Sequence, residues 1–155
     1  MWLHLCDTSQ GKAANLGNVN VLDYQFLPTD QPVVVPPAFQ IYKCLILIER
    51  KVGEAYQYEV SKLLVETGCR WSLSWGLDCI SWDDSVDWAN IDQFTGTTIP
   101  EDKLVVTTWH ERETLEEVVE FSKQCTDHAG RVIEDTLVLD FGTLGKQRIL
   151  ESLYQ

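Results

Sequence analysis

The sequence predicts a three-layer α/β domain: a mainly parallel, four- to five-stranded sheet with helices on both faces and an irregular N-terminal arm. Three observations carry that prediction. Four short apolar runs have strand length: 44–49 (CLILIE), 70–75 (RWSLSW), 103–109 (KLVVTTW) and 136–141 (TLVLDF). Their starts lie 26 to 33 residues apart, and each gap holds one segment of helical character. That is the length a right-handed β–α–β crossover requires between parallel neighbours. Thirdly, four of the five prolines fall between Pro28 and Pro37, where missing amide donors and fixed φ oppose regular structure.

Taken in chain order, residues 1–43 read as an arm packed on the main domain of residues 44–155. The arm holds a Gly/Asn-rich piece (GKAANLGNVN) and then the proline-rich stretch. It has room for at most short edge strands, one of them an antiparallel addition to the sheet. Leu22, Tyr24, Phe26 and Phe39 require burial against the domain. Residues 44–49 are apolar without interruption, as a strand covered on both faces must be. Tyr56, Val60, Leu63 and Leu64 share one face of a helix over 54–67, with Gly68 as its stop. Large and small residues alternate over 70–75. Residues 82–93 read as a short helix capped by Ser81. Thr114 and Glu117 have capping-box spacing at the head of a helix over 114–126. A last helix closes the chain within 145–155. The competing arrangement is a mixed sheet with a hairpin near residues 70–80.

Composition sets limits on function. A chain of 155 residues with 45% hydrophobic side chains and six tryptophans is long and apolar enough for one domain with its own core. No apolar run approaches the roughly 20 residues that span a bilayer. The N-terminus lacks the basic start and apolar core of a secretory signal, so the expectation is a cytoplasmic protein. Five widely spaced cysteines (Cys6, Cys44, Cys69, Cys79, Cys125) include no CxxC pair, which reads as reduced thiols with no structural zinc and no disulfide. No metal site and no cofactor is expected.

The charge is unevenly placed. Of the net −12, ten charges arise between Asp78 and Glu120, where twelve acidic residues face two basic ones, Lys103 and Arg112. Such a surface repels nucleic-acid phosphates and anionic lipid alike. It attracts a cationic protein and accelerates the encounter.

Strand order offers a second kind of site, because open parallel sheets bind ligands beyond the carboxyl ends of their strands. Those ends deliver Glu49 and Arg50, then Gly76, Asp78 and Cys79, then Trp109, His110 and Glu111, and finally Asp140. His110, Glu111, Asp78 and Cys79 are therefore the catalytic candidates, with Asp83 beside them. His110, just past a strand end, is a candidate general base, which Glu111 or Asp140 would orient, and Cys79 with His110 would make a nucleophile pair. The spacing at 141–146 (FGTLGK) has a superficial phosphate-loop look, but it reads GxxGK followed by Gln147 instead of Ser or Thr. It predicts a glycine-supported turn into the last helix.

The binding candidates are Asp83, Asp84, Asp87, Trp82, Trp88 and Trp109. The three aspartates fit first of all the polar first turn of a helix, where the dipole favours negative charge, then a docking surface, and last a metal or acid/base role. Their spacing is not that of a calcium loop. Trp82 and Trp88, six apart, do not share a helical face, so one of them is left outward, as interface anchors are. Trp71 and Trp75 have one parity and face one side of the sheet.

The strings "WG…C…SWDDSVD.AN" within 75–90 and "TTWHE" at 107–111 resemble a family of small bacterial proteins classed as a domain of unknown function. The resemblance spans roughly residues 44–140. It implies a bacterial origin and no particular activity. Two functions remain open: a non-enzymatic acidic domain that binds a basic protein, for example as an immunity or antitoxin-like inhibitor, and a small hydrolase-like or nucleotide-handling enzyme working at the carboxyl edge of the sheet.

Overall fold

A computed structural model describes residues 22–155. In chain order its elements are β1 (Leu22–Phe26), β2 (Tyr42–Ile48), α1 (Glu54–Thr67), β3 (Cys69–Gly76), α2 (Cys79–Gln93), β4 (Val106–His110), α3 (Leu115–Gln124), the two-residue strands β5 (Asp127–His128) and β6 (Arg131–Val132), β7 (Asp135–Phe141) and α4 (Gln147–Leu153). Five strands form one sheet in the order β1-β7-β2-β3-β4, with every neighbouring pair parallel. The β5–β6 pair is a separate small hairpin.

The apolar runs explain why β2 and β7 are central. All seven residues of β2 are buried. Cys44, Ile46 and Ile48 join Leu137, Leu139 and Phe141 against Val60, Leu64, Trp82 and Val86 of α1 and α2. Leu45, Leu47, Leu73 and Val138 pack on the opposite face against Val118 and Val119 of α3 and Leu150 of α4. Each fully buried leucine or isoleucine contributes about 1.5–3 kcal/mol, so only a strand apolar on both faces is stable in this position.

Local signals set two of the helix ends. Thr114 and Glu117 close a capping box: the Glu117 N–H donates to Thr114 Oγ1 at 3.2 Å, and the Thr114 N–H to Glu117 Oε2 at 2.7 Å. α1 stops at Gly68, whose φ is 106°. A Cβ there would lie 2.0 Å from the Gln40 carbonyl oxygen, so only glycine turns the chain directly from α1 into β3.

Three expectations are corrected. The helix expected over 82–93 begins at Cys79, and its N-cap is Asp78, in the left-handed region at φ 52° and ψ 28°. Ser81 is not a cap; it sits inside the helix with Gln57 Nε2 3.2 Å from its hydroxyl. The short strand–helix turn at Gly76 leaves no room for a later start. The strand expected over 103–109 is shorter at its beginning, because residues 101–103 form a 3-10 turn. The Asn90 side chain then holds Lys103 and Val105 by their backbone.

The edge strand from the arm is parallel to β7, not antiparallel. Residues 27–41 return along the α1 face to the start of β2, with Leu27 and Phe39 in the core. Arg50 secures this return, its Nε donating to Leu27 O at 3.1 Å and Nη1 to Asp30 Oδ1 at 2.8 Å. The expectation for the first part of the arm, residues 1–21, lies outside the described residues.

Candidate functional site

The strand order creates one switch point. After β2 the chain passes to α1 on one face, and after β7 it passes to α4 on the other, so β2 and β7 part company at their carboxyl ends. There the carboxylate of Asp140, wholly buried, accepts from Tyr24 Oη at 2.5 Å and from Lys146 Nζ at 3.3 Å. Lys146 Nζ also meets Glu49 Oε1 at 2.7 Å, and its backbone N–H donates to Tyr24 Oη at 2.8 Å. The lysine of the FGTLGK turn is thus held by two carboxylates, and the cluster ties β1, β2, β7 and the entry to α4 together. Burial and the Asp140 carboxylate push the Tyr24 phenol well above its ordinary range.

One strand further along, a cleft of about 350 Å³ opens where β3 turns into α2, lined by Gly76, Asp78, Cys79, Ile80, Ser81, Asp84 and Glu111. The turn is tight: Gly76 has φ 99° and a Cβ there would lie 2.3 Å from Ile48 O. Of the catalytic candidates, Asp78, Cys79 and Glu111 meet at this cleft. His110 and Asp140 are not among its lining residues. His110 is the last residue of β4 and its ring packs on Phe121 of α3, centroids 5.2 Å apart. Its Nε2 lies 2.9 Å from Thr108 Oγ1 and its Nδ1 3.5 Å from Glu113 Oε1. Both ring nitrogens therefore have partners other than Cys79, Glu111 and Asp140, and the Cys79 thiol meets the backbone of His110 instead of its imidazole. Burial raises the Cys79 thiol pKa, which disfavours the nucleophilic thiolate. Among the described residues Cys44, Cys69, Cys79 and Cys125 are all buried free thiols, and no group of three or more His, Cys, Asp or Glu side chains is placed to hold a metal.

The binding candidates separate by helical face. Trp82 is 1% exposed and stacks on Phe141 with centroids 5.0 Å apart; it is a core residue, which removes it from any docking surface. Trp88 is 61% exposed and Trp109 54%. Thr107 and Trp109 alternate with Val106, Thr108 and His110 along β4 and stand on the α2 side of the sheet. The Thr107 hydroxyl donates to Asp87 Oδ1 at 2.9 Å. Asp83, one helical turn earlier, is 6% exposed, and its Oδ1 has no hydrogen-bond partner. Burial pushes the Asp83 carboxyl up to about 6, with Asp87 and Asp84 adding to the rise and Thr107 opposing it. Asp87 is raised by burial too, and by Asp84. Asp84 is exposed, with Ile80, Trp88 and Ile91 on the outer surface of α2.

Residues 22–155 match the family described as Domain of unknown function (DUF7684). The chain belongs to that family. The match takes in β1 and α4 as well as the strand–helix alternation between them, so this DUF7684 domain extends beyond residues 44–140 at both ends. No curated protein and no solved structure matches the chain.

Two participants in the DUF7684 site escape a reading of the sequence. Thr107 reads as one more strand threonine, and only the packing of α2 on β4 sets its hydroxyl against two carboxylates. Lys146 carries a visible signal, a lysine after two glycines, but its partners Asp140, Glu49 and Tyr24 come from three other segments. Trp71 and Trp75 do face one side together, as their parity requires. Their indole N–H groups donate to Asp127 O at 3.0 Å and Glu113 O at 2.8 Å, which makes them supports for the α3 side of the sheet.

Proposed function

We propose that this DUF7684 domain is a non-enzymatic binding module whose α2–β4 face docks a basic protein, in the manner of a bacterial, cytoplasmic immunity or antitoxin-like inhibitor. The observation that carries the reading is the pairing of two exposed tryptophans, Trp88 and Trp109, with the acidic residues Asp84 and Asp87 on the same side of the sheet. Large aromatic side chains supply buried contact area in a complex, and the surrounding negative charge selects a cationic surface and speeds its approach. Twelve acidic against two basic residues between Asp78 and Glu120 extend that field beyond the contact itself.

A second reading, a small hydrolase-like or nucleotide-handling enzyme, is favoured by the cleft at the β3–α2 turn, where Asp78 is held at a positive φ beside Cys79 and Glu111. One pair of measurements separates the two. The domain, immobilised and exposed to lysate of its native host, is expected to retain a basic protein. Retention should fall as salt rises from 0.1 to 0.5 M, because exposed charges are screened beyond roughly 10 Å at 0.1 M. Trp88→Ala with Trp109→Ala should abolish retention with the fold intact by circular dichroism. Retention unchanged in the double variant overturns the docking surface. Stoichiometric binding of a divalent cation by calorimetry, lost in Asp78→Asn, transfers support to the enzyme.

A further inference from the structure

We propose that the open edge of β4 takes an extended, basic segment of the partner as a sixth strand, with cationic side chains of that segment reaching Asp83 and Asp87. The inference rests on the docking reading above and specifies what docks and how.

β4 closes one side of the sheet and, among the described residues, pairs with β3 alone. Exposed edges invite strand addition unless proline, charge, a bulge or a covering loop blocks them. The sequence of β4, Val-Thr-Thr-Trp-His, contains neither proline nor lysine, and its register with β3 runs without a shift from Val106 to His110. The opposite edge is treated differently: the Gln25 side chain of β1 bonds both the N–H and the carbonyl of Val34, which lays the 31–35 loop alongside it. The free backbone groups of β4 are identifiable. Val105, just before the strand, gives its N–H to Asn90 Oδ1 at 2.9 Å instead of to β3. Alternation along the strand then turns the N–H and C=O of Thr107 and Trp109 to the outer side.

The chemistry of the occupant follows from the neighbouring carboxylates. Asp83 is 94% buried by its 6% exposure, with Oδ1 unpartnered, and Asp87 shares the Thr107 hydroxyl. The charged groups that act on Asp83 are Asp87 and Asp84 of the same helix. From β4 it meets Thr107, a neutral group. Lys103, at the approach to β4, points to Asp102 at 3.8 Å. A cation for Asp83 and Asp87 has to come from outside the described chain. In a sixth strand the residues on the α2 side fall next to Thr107 and Trp109, within reach of lysine or arginine. A second copy of this chain is a poor occupant, because its own β4 edge carries the same acidic surroundings and two such edges repel.

The test uses an eight-residue peptide alternating lysine and valine, and the same peptide with alternate backbone amides N-methylated so that charge is kept and the strand-pairing donors are lost. Affinity is followed by Trp fluorescence and by hydrogen exchange of the Thr107 and Trp109 amides. The unmethylated peptide is expected to slow exchange at both amides at least tenfold and to bind at least tenfold tighter than the methylated one. Asp83→Asn should weaken it several-fold. Equal binding of the two peptides, without protection of Thr107 and Trp109, overturns strand addition and leaves the docking surface standing. Absence of binding by either peptide at millimolar concentration overturns it as well. Protection that appears without peptide and grows with protein concentration assigns the edge to a second copy instead.

Discussion

Asp83 and Asp87 are one helical turn apart on α2 and differ in burial. Asp87 is the more exposed of the two, while Asp83 keeps one carboxylate oxygen without a partner in a nearly closed site. Ionised Asp83 is disfavoured in the folded chain, so its pKa is raised from 3.8 to about 6. Between these values the folded protein holds a proton that the unfolded chain has released, and the contribution of Asp83 to stability is lost as pH rises through about 6. Asp83→Asn removes the penalty and keeps the shape. It is expected to raise stability by about 1–2 kcal/mol at pH 7.5, with the difference from wild type vanishing by about pH 3, below the unfolded value. Urea unfolding at the two pH values checks this. A variant less stable at pH 7.5, or a gap that does not change with pH, refutes the burial of an ionised carboxylate. The acidic residues are plain in the sequence; which of them is buried is not, because it depends on how far α2 rolls onto β4.

At the scale of elements, α3 and α2 show when local signals suffice. The Thr114–Glu117 pair lies within one turn, and its two reciprocal hydrogen bonds form as the spacing requires. Thr114→Ala is expected to cost about 1 kcal/mol, read as a lower urea midpoint with an unchanged slope; an unchanged midpoint would show that tertiary packing alone fixes that helix end. α2 behaves otherwise. Ser81 with Asp84 has cap-like spacing, yet the helix starts three residues before 82, from a left-handed Asp78. The reason is non-local: Leu77 N–H bonds Ile48 O at 2.8 Å, which brings the turn hard against β2 and leaves the helix no later point of entry. Trp82 is consequently carried into the core beside Phe141 while Trp88 points outward. That one of the two is exposed follows from their six-residue spacing; which one follows only from the helix start.

For the whole molecule the deciding feature is the distribution of charge over the sheet. Ten of the net twelve negative charges arise between Asp78 and Glu120, the segment that builds α2, the β4 edge and α3. The β4 end of the domain is therefore strongly acidic on both faces of the sheet, and its self-repulsion opposes folding. Raising NaCl from 20 to 500 mM screens that repulsion. The melting temperature is expected to rise by a few degrees, equivalent to roughly 1 kcal/mol for a domain of this size. A falling melting temperature would show that attractive pairs such as Arg50–Asp30 and Lys146–Glu49 outweigh it. No helix among the described residues is long and apolar enough to cross a membrane.

The amino-acid sequence by itself determined the alternation of strands and helices, the parallel sheet and the acidic end of the molecule. These rest on period, length and composition, which are properties of short stretches: CLILI demands cover on both faces whatever surrounds it, and a crossover of about thirty residues permits a parallel neighbour. Only the tertiary structure decided that Leu22–Phe26 joins β7 as a parallel edge, and that the His110 ring turns to Thr108, Glu113 and Phe121. It likewise placed Thr107 against Asp83 and Asp87. Each of these depends on strand order and on which face a crossover takes, and in this chain the last long strand, β7, inserts between the first two. Contacts of that kind join residues more than a hundred positions apart, such as Tyr24 and Asp140, and no local pattern in either segment encodes the other.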